Sequence, residues 1–518
     1  MTHGTYLKKT PEFFEFHRGK ECTVWSVKSH RRQEKVYTYD EAIELAGNGW
    51  YIIGLALVLL LAFVSMSLDM FGFSVVVSSA CDFELTHFQE SILLSMPFLG
   101  SIFLAYPWGY ISDTQGRRKG LLISLWGSYI LATLSVFSPH WIVLAALKFG
   151  SASLSSGIQS LSLTLIGESC SPKIKSALLI GIPSSLFLTF GVYNTFAYFI
   201  LSLDFAYDLG FVIFKPWRLL GLVLALPLSV SAILCSFFYE SPKFVLNDGH
   251  EKKALNILRK ISKKNGVKQY PVKRVVLQET TTLRRKDIPF LQSLMEQTFP
   301  LFKAPLLFRT LHLFFITAII YSINNGFYSR LPLVLDTFDA GHVDNSTTDN
   351  LCDMFSNYNN LEKDGTCITA VNEFTIWASL IQGLLYCFMN VIVAMLFFKK
   401  KLILITMLFV SSLSSVLIPL LPGRILSISL FNGLLMNSLS MTIVFSYYVE
   451  MFPTSYRGMA ACLGVMVARL SALAGTNLIG TYIMVHCDYT MYLCGILSLG
   501  GVVISFFLPP DKPKISSC

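Results

Sequence analysis

Apolar runs separated by short charged turns fill the chain from Trp50 to Leu508. A bilayer core about 30 Å thick takes roughly 20 consecutive helical residues to cross. Twelve stretches are long enough: Trp50 to Ala80, Ser91 to Ser112, Gly120 to Ser138, Trp141 to Gly167, Ala177 to Leu203, Leu219 to Tyr239, Leu311 to Leu335, Phe374 to Phe398, Leu402 to Leu421, Ile425 to Val449, Gly458 to Val485 and Thr490 to Leu508. Six precede a long polar segment, Glu240 to Pro305, and six follow it. The pattern predicts an all-α membrane protein of twelve transmembrane helices in two six-helix bundles. Its parts would be an N-terminal segment 1–49, a first bundle 50–239, a central loop 240–307, a second bundle 308–508 carrying a loop 336–373 on the other side, and a tail 509–518.

Composition agrees. The chain is 53% apolar and 14% charged, where soluble domains are roughly a quarter charged. Disorder, a coiled coil and an ordinary soluble enzyme are excluded. The central segment holds 14 Lys and Arg against 6 Asp and Glu, whereas Asp336 to Glu373 holds eight acids and one Lys. Arg117, Arg118 and Lys119, then Lys173 and Lys175, then Lys399 to Lys401 fall on the side of the central segment. The excess of Lys and Arg predicts that this side, with both termini, is cytoplasmic. Topology thus accounts for most of the net charge of +9, and nucleic-acid binding is not needed to explain it. Residues 1–49 lack an apolar core near the start, so the first span is expected to insert without cleavage. Asn345-Ser346-Thr347 is an N-glycosylation sequon in the outer loop. Cys352 and Cys367 share that oxidising compartment and are a candidate disulfide. Ala254 to Ile261 is amphipathic and predicts a short surface helix on the cytoplasmic face or the lipid headgroups.

An internal repeat supports the division into halves. Glu168 precedes Lys175 by seven residues with Pro172 between them, and Glu450 precedes Arg457 likewise with Pro453 between them. Proline suits these turns because it cannot continue the preceding helix. Gly109 to Arg118, between spans two and three, resembles the G-x-x-x-D-x-x-G-R-R/K signature of the major facilitator superfamily. Glu450 to Gly458, Trp217-Arg218 and Glu240 to Phe244 resemble its sugar and organic-ion branches, and Tyr39 to Gly47 resembles the lead-in of the synaptic vesicle glycoprotein 2 group. The resemblance implies alternating access, with Gly109, Asp113, Gly116, Arg117, Arg118, Glu168, Glu240, Glu450 and Arg457 acting as gate or scaffold. In physical terms, the two glycines would allow close helix approach, and Asp113 would sit against a helix N-terminus or an arginine. The second half has only Lys399 to Lys401 at the matching place, so the lock is expected to be asymmetric.

Ionisable residues inside spans cost about 3 kcal/mol each on an insertion scale unless paired or wetted. Three stand out: Asp69, Lys148 and Arg469. At about 1.5 Å per residue, Asp69 and Lys148 lie at one depth, roughly 25 Å from the cytoplasmic ends of spans one and four. In the resembled fold spans one and four are neighbours lining the central cavity, so the resemblance implies an ion pair between them in the cavity's outer half. Arg469 lies roughly 17 Å into span eleven, near mid-membrane. In the resembled organic-ion branch a similar position is arginine in anion carriers, which implies an anionic or carboxylate substrate. Asn324 and Asn325 beside Gly326 predict a local break in span seven. Tyr193 and Asn194 in span five, Trp377 and Gln382 in span eight, and Asn432 and Asn437 in span ten add polar and aromatic lining for a solute path.

No phosphate-binding glycine loop, metal cluster or nucleophile motif occurs, and the histidines are scattered. The expected protein is a monomeric carrier, not an enzyme. It would hold no cofactor, with coupling to protons through Asp69 as an option. Its partners would be a small organic solute and the lipid bilayer of a plasma or vesicle membrane. The competing reading is a transport-inactive receptor or scaffold of the synaptic vesicle glycoprotein type.

Overall fold

Inside a bilayer, backbone amides and carbonyls have no water to bond, so a chain this apolar satisfies them within helices. The computed structural model describes residues 35–277, 292, 295, 298–340, 350–355, 373–395, 399–452 and 454–509. Asn345 and Cys367 lie outside these, as do the side chains of Asp113, Glu450 and Arg457. Among the described residues, 12 helices are long and apolar enough to cross a membrane: Trp50–Ser78, Phe88–Ser112, Arg117–Val136, Trp141–Ser169, Pro172–Leu201, Pro216–Cys235, Leu306–Tyr328, Glu373–Val393, Lys400–Leu417, Arg424–Tyr448, Met459–Gly480 and Cys487–Ser505. They are spans 1 to 12 below. The helix containing span 2 begins at His87, ahead of the expected Ser91, because Thr86 and Gln89 bond each other's backbone N–H in a capping box.

Spans 1–6 and spans 7–12 form the two halves. They meet where span 5 packs on span 8 and span 2 on span 11. At the 5–8 crossing a Cβ on Gly383 would stand 2.5 Å from the Phe187 carbonyl oxygen, so only glycine permits that approach. One face carries residues 36–49, residues 240–277 and Lys399 to Lys401, and is called the basic face here. On the opposite face a single apolar cluster runs across both halves, uniting Phe190, Tyr193 and Trp217 with Phe327, Tyr328 and Phe431. Toward the basic face the core divides in two. One cluster belongs to the first half, around Phe63, Trp108 and Leu161, and another to the second, around Ile316, Tyr447 and Tyr448.

On the basic face the lead-in and the central segment form one small unit. Val36–Thr38 pairs in parallel with Arg274–Val276. Thr38 then caps the helix Tyr39–Ala46 in a capping box with Glu41. The helix Glu251–Lys264 turns Ala254, Leu255, Leu258 and Ile261 onto protein. The amphipathic helix expected from the sequence therefore packs its apolar side on the lead-in and span 1, not on lipid. Asn265 ties the two together: its Nδ2 donates to the Gly47 carbonyl at 2.6 Å and its Oδ1 accepts from Tyr51 N at 3.1 Å.

The expected Cys352–Cys367 disulfide is replaced by another. Cys352 is bonded to Cys487, 135 residues away, with Cα atoms 5.4 Å apart. Leu351, Met354 and Phe355 belong to the same apolar cluster as the start of span 12, and that packing carries Cys352 to Cys487. Cys81 is also disulfide-bonded. Non-reducing peptide mapping is expected to recover a Cys352–Cys487 cross-link that persists in Cys367→Ser and disappears in Cys487→Ser. Recovery of a Cys352–Cys367 peptide would overturn this connectivity.

Candidate transport site

Three charge arrangements occupy the interior. The first is the Asp69–Lys148 pair. Lys148 Nζ stands 2.5 Å from Asp69 Oδ1, both side chains being about 5% exposed. Ser151 donates to Asp69 Oδ2 at 3.1 Å, and the Lys148 ammonium lies 4.6 Å over the Phe73 ring. The sequence expectation of a pair holds, but its place differs. Its surroundings, a cavity of about 20 Å³ lined by Ala132, Ser135, Trp217 and Gly221, all belong to the first half. That is room for a single water. Depth along a helix gives height, not direction, and Asp69 points into its own bundle. The next residue, Met70, turns about 100° away and packs with Phe98 and Ala472 where the halves meet.

The second is Arg469 on span 11. Its Nη2 donates to Gln159 Oε1 on span 4 at 3.1 Å, and Nη1 lies 3.5 Å from Met70 Sδ on span 1. Both partners are across the interface between halves. Among the described residues no carboxylate pairs with it. Gln159 escaped sequence analysis although it lies eleven residues beyond Lys148, about three turns and on nearly the same helical face. Asn194, Asn324 and Asn437, from spans 5, 7 and 10, are fully buried, and neither side-chain polar atom of any of them has a protein partner. The Tyr193 hydroxyl is likewise buried and unpartnered. An unanswered buried polar group costs roughly 1–3 kcal/mol.

Several expectations change. Span 7 is not broken at Asn324 and Asn325. It is one α-helix, Leu306–Tyr328, within which Asn325 Nδ2 bonds the Tyr321 carbonyl one turn back at 2.9 Å. The irregular turn is in span 10, a 3-10 stretch Met436–Leu439 containing Asn437. Trp377 is 64% exposed on the outer surface of span 8, whereas Gln382 is buried. Five residues apart on a helix, they differ by about 140° in direction. Asn432 uses its Nδ2 on the Ile428 carbonyl within its own helix.

The third arrangement lies at the basic face. Arg117 clamps Glu168 through Nε at 3.1 Å and Nη2 at 3.2 Å, and Ser241 donates to the same carboxylate. Glu240 accepts from the backbone N–H groups of Arg118 at 2.9 Å and Lys119 at 3.4 Å. Its charge therefore sits on the N-terminus of span 3, where the helix dipole favours it. Gly116 has φ +104°, and a Cβ there would meet Glu240 Oε2 at 2.6 Å. The expectation for Gly109 fails: nothing lies within 4 Å of where its Cβ would stand. The described members of this cluster all belong to the first half. They brace its helices to one another. Tyr39 joins through its hydroxyl, which donates to the Glu168 carbonyl at 2.5 Å. Burial, with Glu168 beside it, raises the Tyr39 phenol well above its ordinary value, so the donor is retained throughout the neutral range.

On the opposite face, contacts join the halves. The Phe190 and Tyr328 rings stack at 4.4 Å, Arg330 lies 3.7 Å from Glu90, and Asn477 donates to Ser95 at 2.8 Å. This conformation is closed across the opposite face. Two six-helix halves meeting over buried polar groups define a transporter that works by alternating access. The model of the Major Facilitator Superfamily matches residues 57–350, and the chain belongs to that superfamily. It is 28% identical over 494 residues to the synaptic vesicle 2-related protein of Xenopus laevis, covering 92% of this chain and 81% of that one. It is 25% identical to organic cation/carnitine transporter 7 of Arabidopsis thaliana, covering 84% of this chain and 87% of that one. In fold it resembles a partially occluded inward-open structure of the xylose transporter XylE from E. coli, with TM-score 0.61, 14% identity, and coverage of 90% and 99%. The chain is thus a multi-pass integral membrane transporter of small solutes.

The buried pair predicts a stability signature. Removing one partner strands a charge, which costs about 3–5 kcal/mol, whereas removing both is near neutral. Asp69→Asn and Lys148→Met should each lower the melting temperature of the purified protein, and the double variant should recover most of the loss. Additive losses in the double variant would show that the two charges are not coupled.

Proposed function

We propose that the chain carries a small organic anion, or a zwitterion bearing a carboxylate, and that Arg469 receives the carboxylate. One observation carries the reading: a guanidinium at the interface of the halves whose protein partners are an amide oxygen and a thioether. Either is a weak answer to a full charge in a low-dielectric interior. A carboxylate can take two guanidinium N–H bonds at once, and the buried amides of Asn194, Asn324 and Asn437 offer donors and acceptors for the rest of the solute. The relative from Arabidopsis thaliana is named for organic cations and carnitine, and carnitine itself joins a quaternary ammonium to a carboxylate. The basic face is the cytoplasmic one, by its excess of Lys and Arg. The closed opposite face then makes this an inward-facing state. Residue 345 on the outer loop is the proposed glycosylation site.

Protons are the proposed coupling ion, with Asp69 as carrier. Protonating it would strand the Lys148 ammonium inside the first bundle, and spans 1 and 4 would have to repack. Coupling would thus reach the solute site through Met70, which follows Asp69 in sequence and touches Arg469.

Uptake into liposomes carrying the purified protein tests both parts, using labelled carboxylates, organic cations and sugars with and without an inward proton gradient. Carboxylate uptake should fall tenfold or more in Arg469→Ala, and the gradient's acceleration should vanish in Asp69→Asn. Uptake of cations or sugars that is indifferent to Arg469→Ala would sink the anion assignment. Gradient dependence surviving in Asp69→Asn would remove the proposed carrier.

A further inference from the structure

We propose that the basic face carries a binding site for one anionic phospholipid headgroup, built from Lys260, Lys264 and Arg118 around the stacked rings of Tyr51 and Tyr239. Lys260 and Lys264 are four residues apart and so project from one side of the helix Glu251–Lys264. Both ammonium groups lie over the Tyr239 ring, at 5.5 Å and 4.8 Å, and Lys264 is also 5.8 Å from Tyr51. The two rings stack at 5.7 Å. Arg118 reaches the same place and donates to the Ser236 carbonyl, at the foot of span 6.

Depth fixes the kind of ligand. Tyr51 is the second residue of span 1, and its N–H is held by Asn265 at the end of the lysine-bearing helix. The ammonium groups are therefore anchored at the level where span 1 enters the bilayer. Beside them, Trp50 is 81% exposed and Phe237 is 68% exposed, the aromatic belt expected at a lipid interface. Ile53 and Leu57 on span 1, with Val230 and Ile233 on span 6, continue the exposed apolar surface downward from it. Acyl chains can lie along that surface while a phosphate meets the lysines. A soluble anion would make no use of it.

The charge is also available. Among the described residues neither Lys260 nor Lys264 pairs with a carboxylate. Glu240, bonded to the Arg118 backbone, is committed to the N–H groups of Arg118, Lys119 and Ser241, and Glu251 is committed to Val275 N and Arg274. Three cations thus converge with no anion assigned to them. A basic cluster next to a span attracts anionic headgroups, and the cation–π contacts hold two of these cations in place.

The test is native mass spectrometry of the full chain in mild detergent, titrated with phosphatidylserine or phosphatidylcholine. Wild type should retain phosphatidylserine in preference to phosphatidylcholine. K260Q/K264Q should weaken that retention roughly tenfold. K260R/K264R should preserve it, as should K252Q/K253Q, which makes the same charge change elsewhere on the helix. Equal loss in both glutamine pairs, no loss in either, or displacement by soluble glycerophosphoserine at the same concentration would overturn the site. Should K260Q/K264Q melt early, tryptophan quenching in the wild type decides. Brominated phosphatidylserine should quench more than brominated phosphatidylcholine because Trp50 borders the site, and equal quenching would overturn it.

Discussion

In a slab without water, each polar group must be answered by another group of the protein, and this constraint sorts the interior of the molecule. Within the first half the buried charges are answered. Asp69 has Lys148 and Ser151. Glu168 has Arg117 and Ser241. Arg218 spreads its guanidinium over the carbonyls of Val136 and Ser138 and reaches Asp82 at 3.5 Å. Where the halves meet, Arg469 has only an amide and a thioether among the described residues, and three buried asparagines of spans 5, 7 and 10 have no protein partner there. Alternating access requires two bodies that move against each other across such a seam, and on the proposed reading a solute there supplies Arg469 with the partner it lacks.

The basic-face unit belongs to one of those bodies. The lead-in helix, the parallel strand pair and the helix Glu251–Lys264 attach to spans 1 and 4 through Asn265, Tyr39 and the bond from Asn48 to Ser171 at 2.6 Å. Lys173 adds an exposed ion pair to Glu44, whose contribution is small. These attachments all lie in the first half, so rocking of the halves would carry the unit with spans 1–6. The proposed headgroup site rides on the same body and would fix its depth in the bilayer, leaving the second half to move against it.

Much of this was legible in the sequence, and the rest was not, for physical reasons. The twelve spans could be read because charge is nearly absent from them and insertion penalises each charge. The members of the basic-face cluster could be named from their motifs, but not the partners they take there, Arg117 with Glu168 and Glu240 with the start of span 3. The Asp69–Lys148 pair followed from depth together with the resembled fold, in which spans one and four are neighbours. Depth fails where azimuth matters: it could not tell that the pair faces its own bundle, that Trp377 faces outward, or that Gln159 faces Arg469. Spacing fails where packing decides, as at Cys352, whose partner is 135 residues away. Local composition fails where the backbone ladder simply continues, as through Asn324 and Asn325 in the unbroken helix Leu306–Tyr328.

The position of the ion pair also constrains how coupling can work. A carboxylate in the solute path could exchange its proton directly with the solute site. Asp69 is enclosed with Lys148 in the first bundle, so a change in its charge reaches the seam only by moving helices. Met70 provides the shortest route, since a turn of span 1 that swings Asp69 also swings the sulfur lying against Arg469. Gly72 lies one turn beyond Asp69, and a Cβ there would meet Leu224 at 2.8 Å, so span 1 packs closely on span 6 at that level and the two would have to repack together. On the proposed reading the first half holds the charge that switches, and the second half presents Arg469 to the solute.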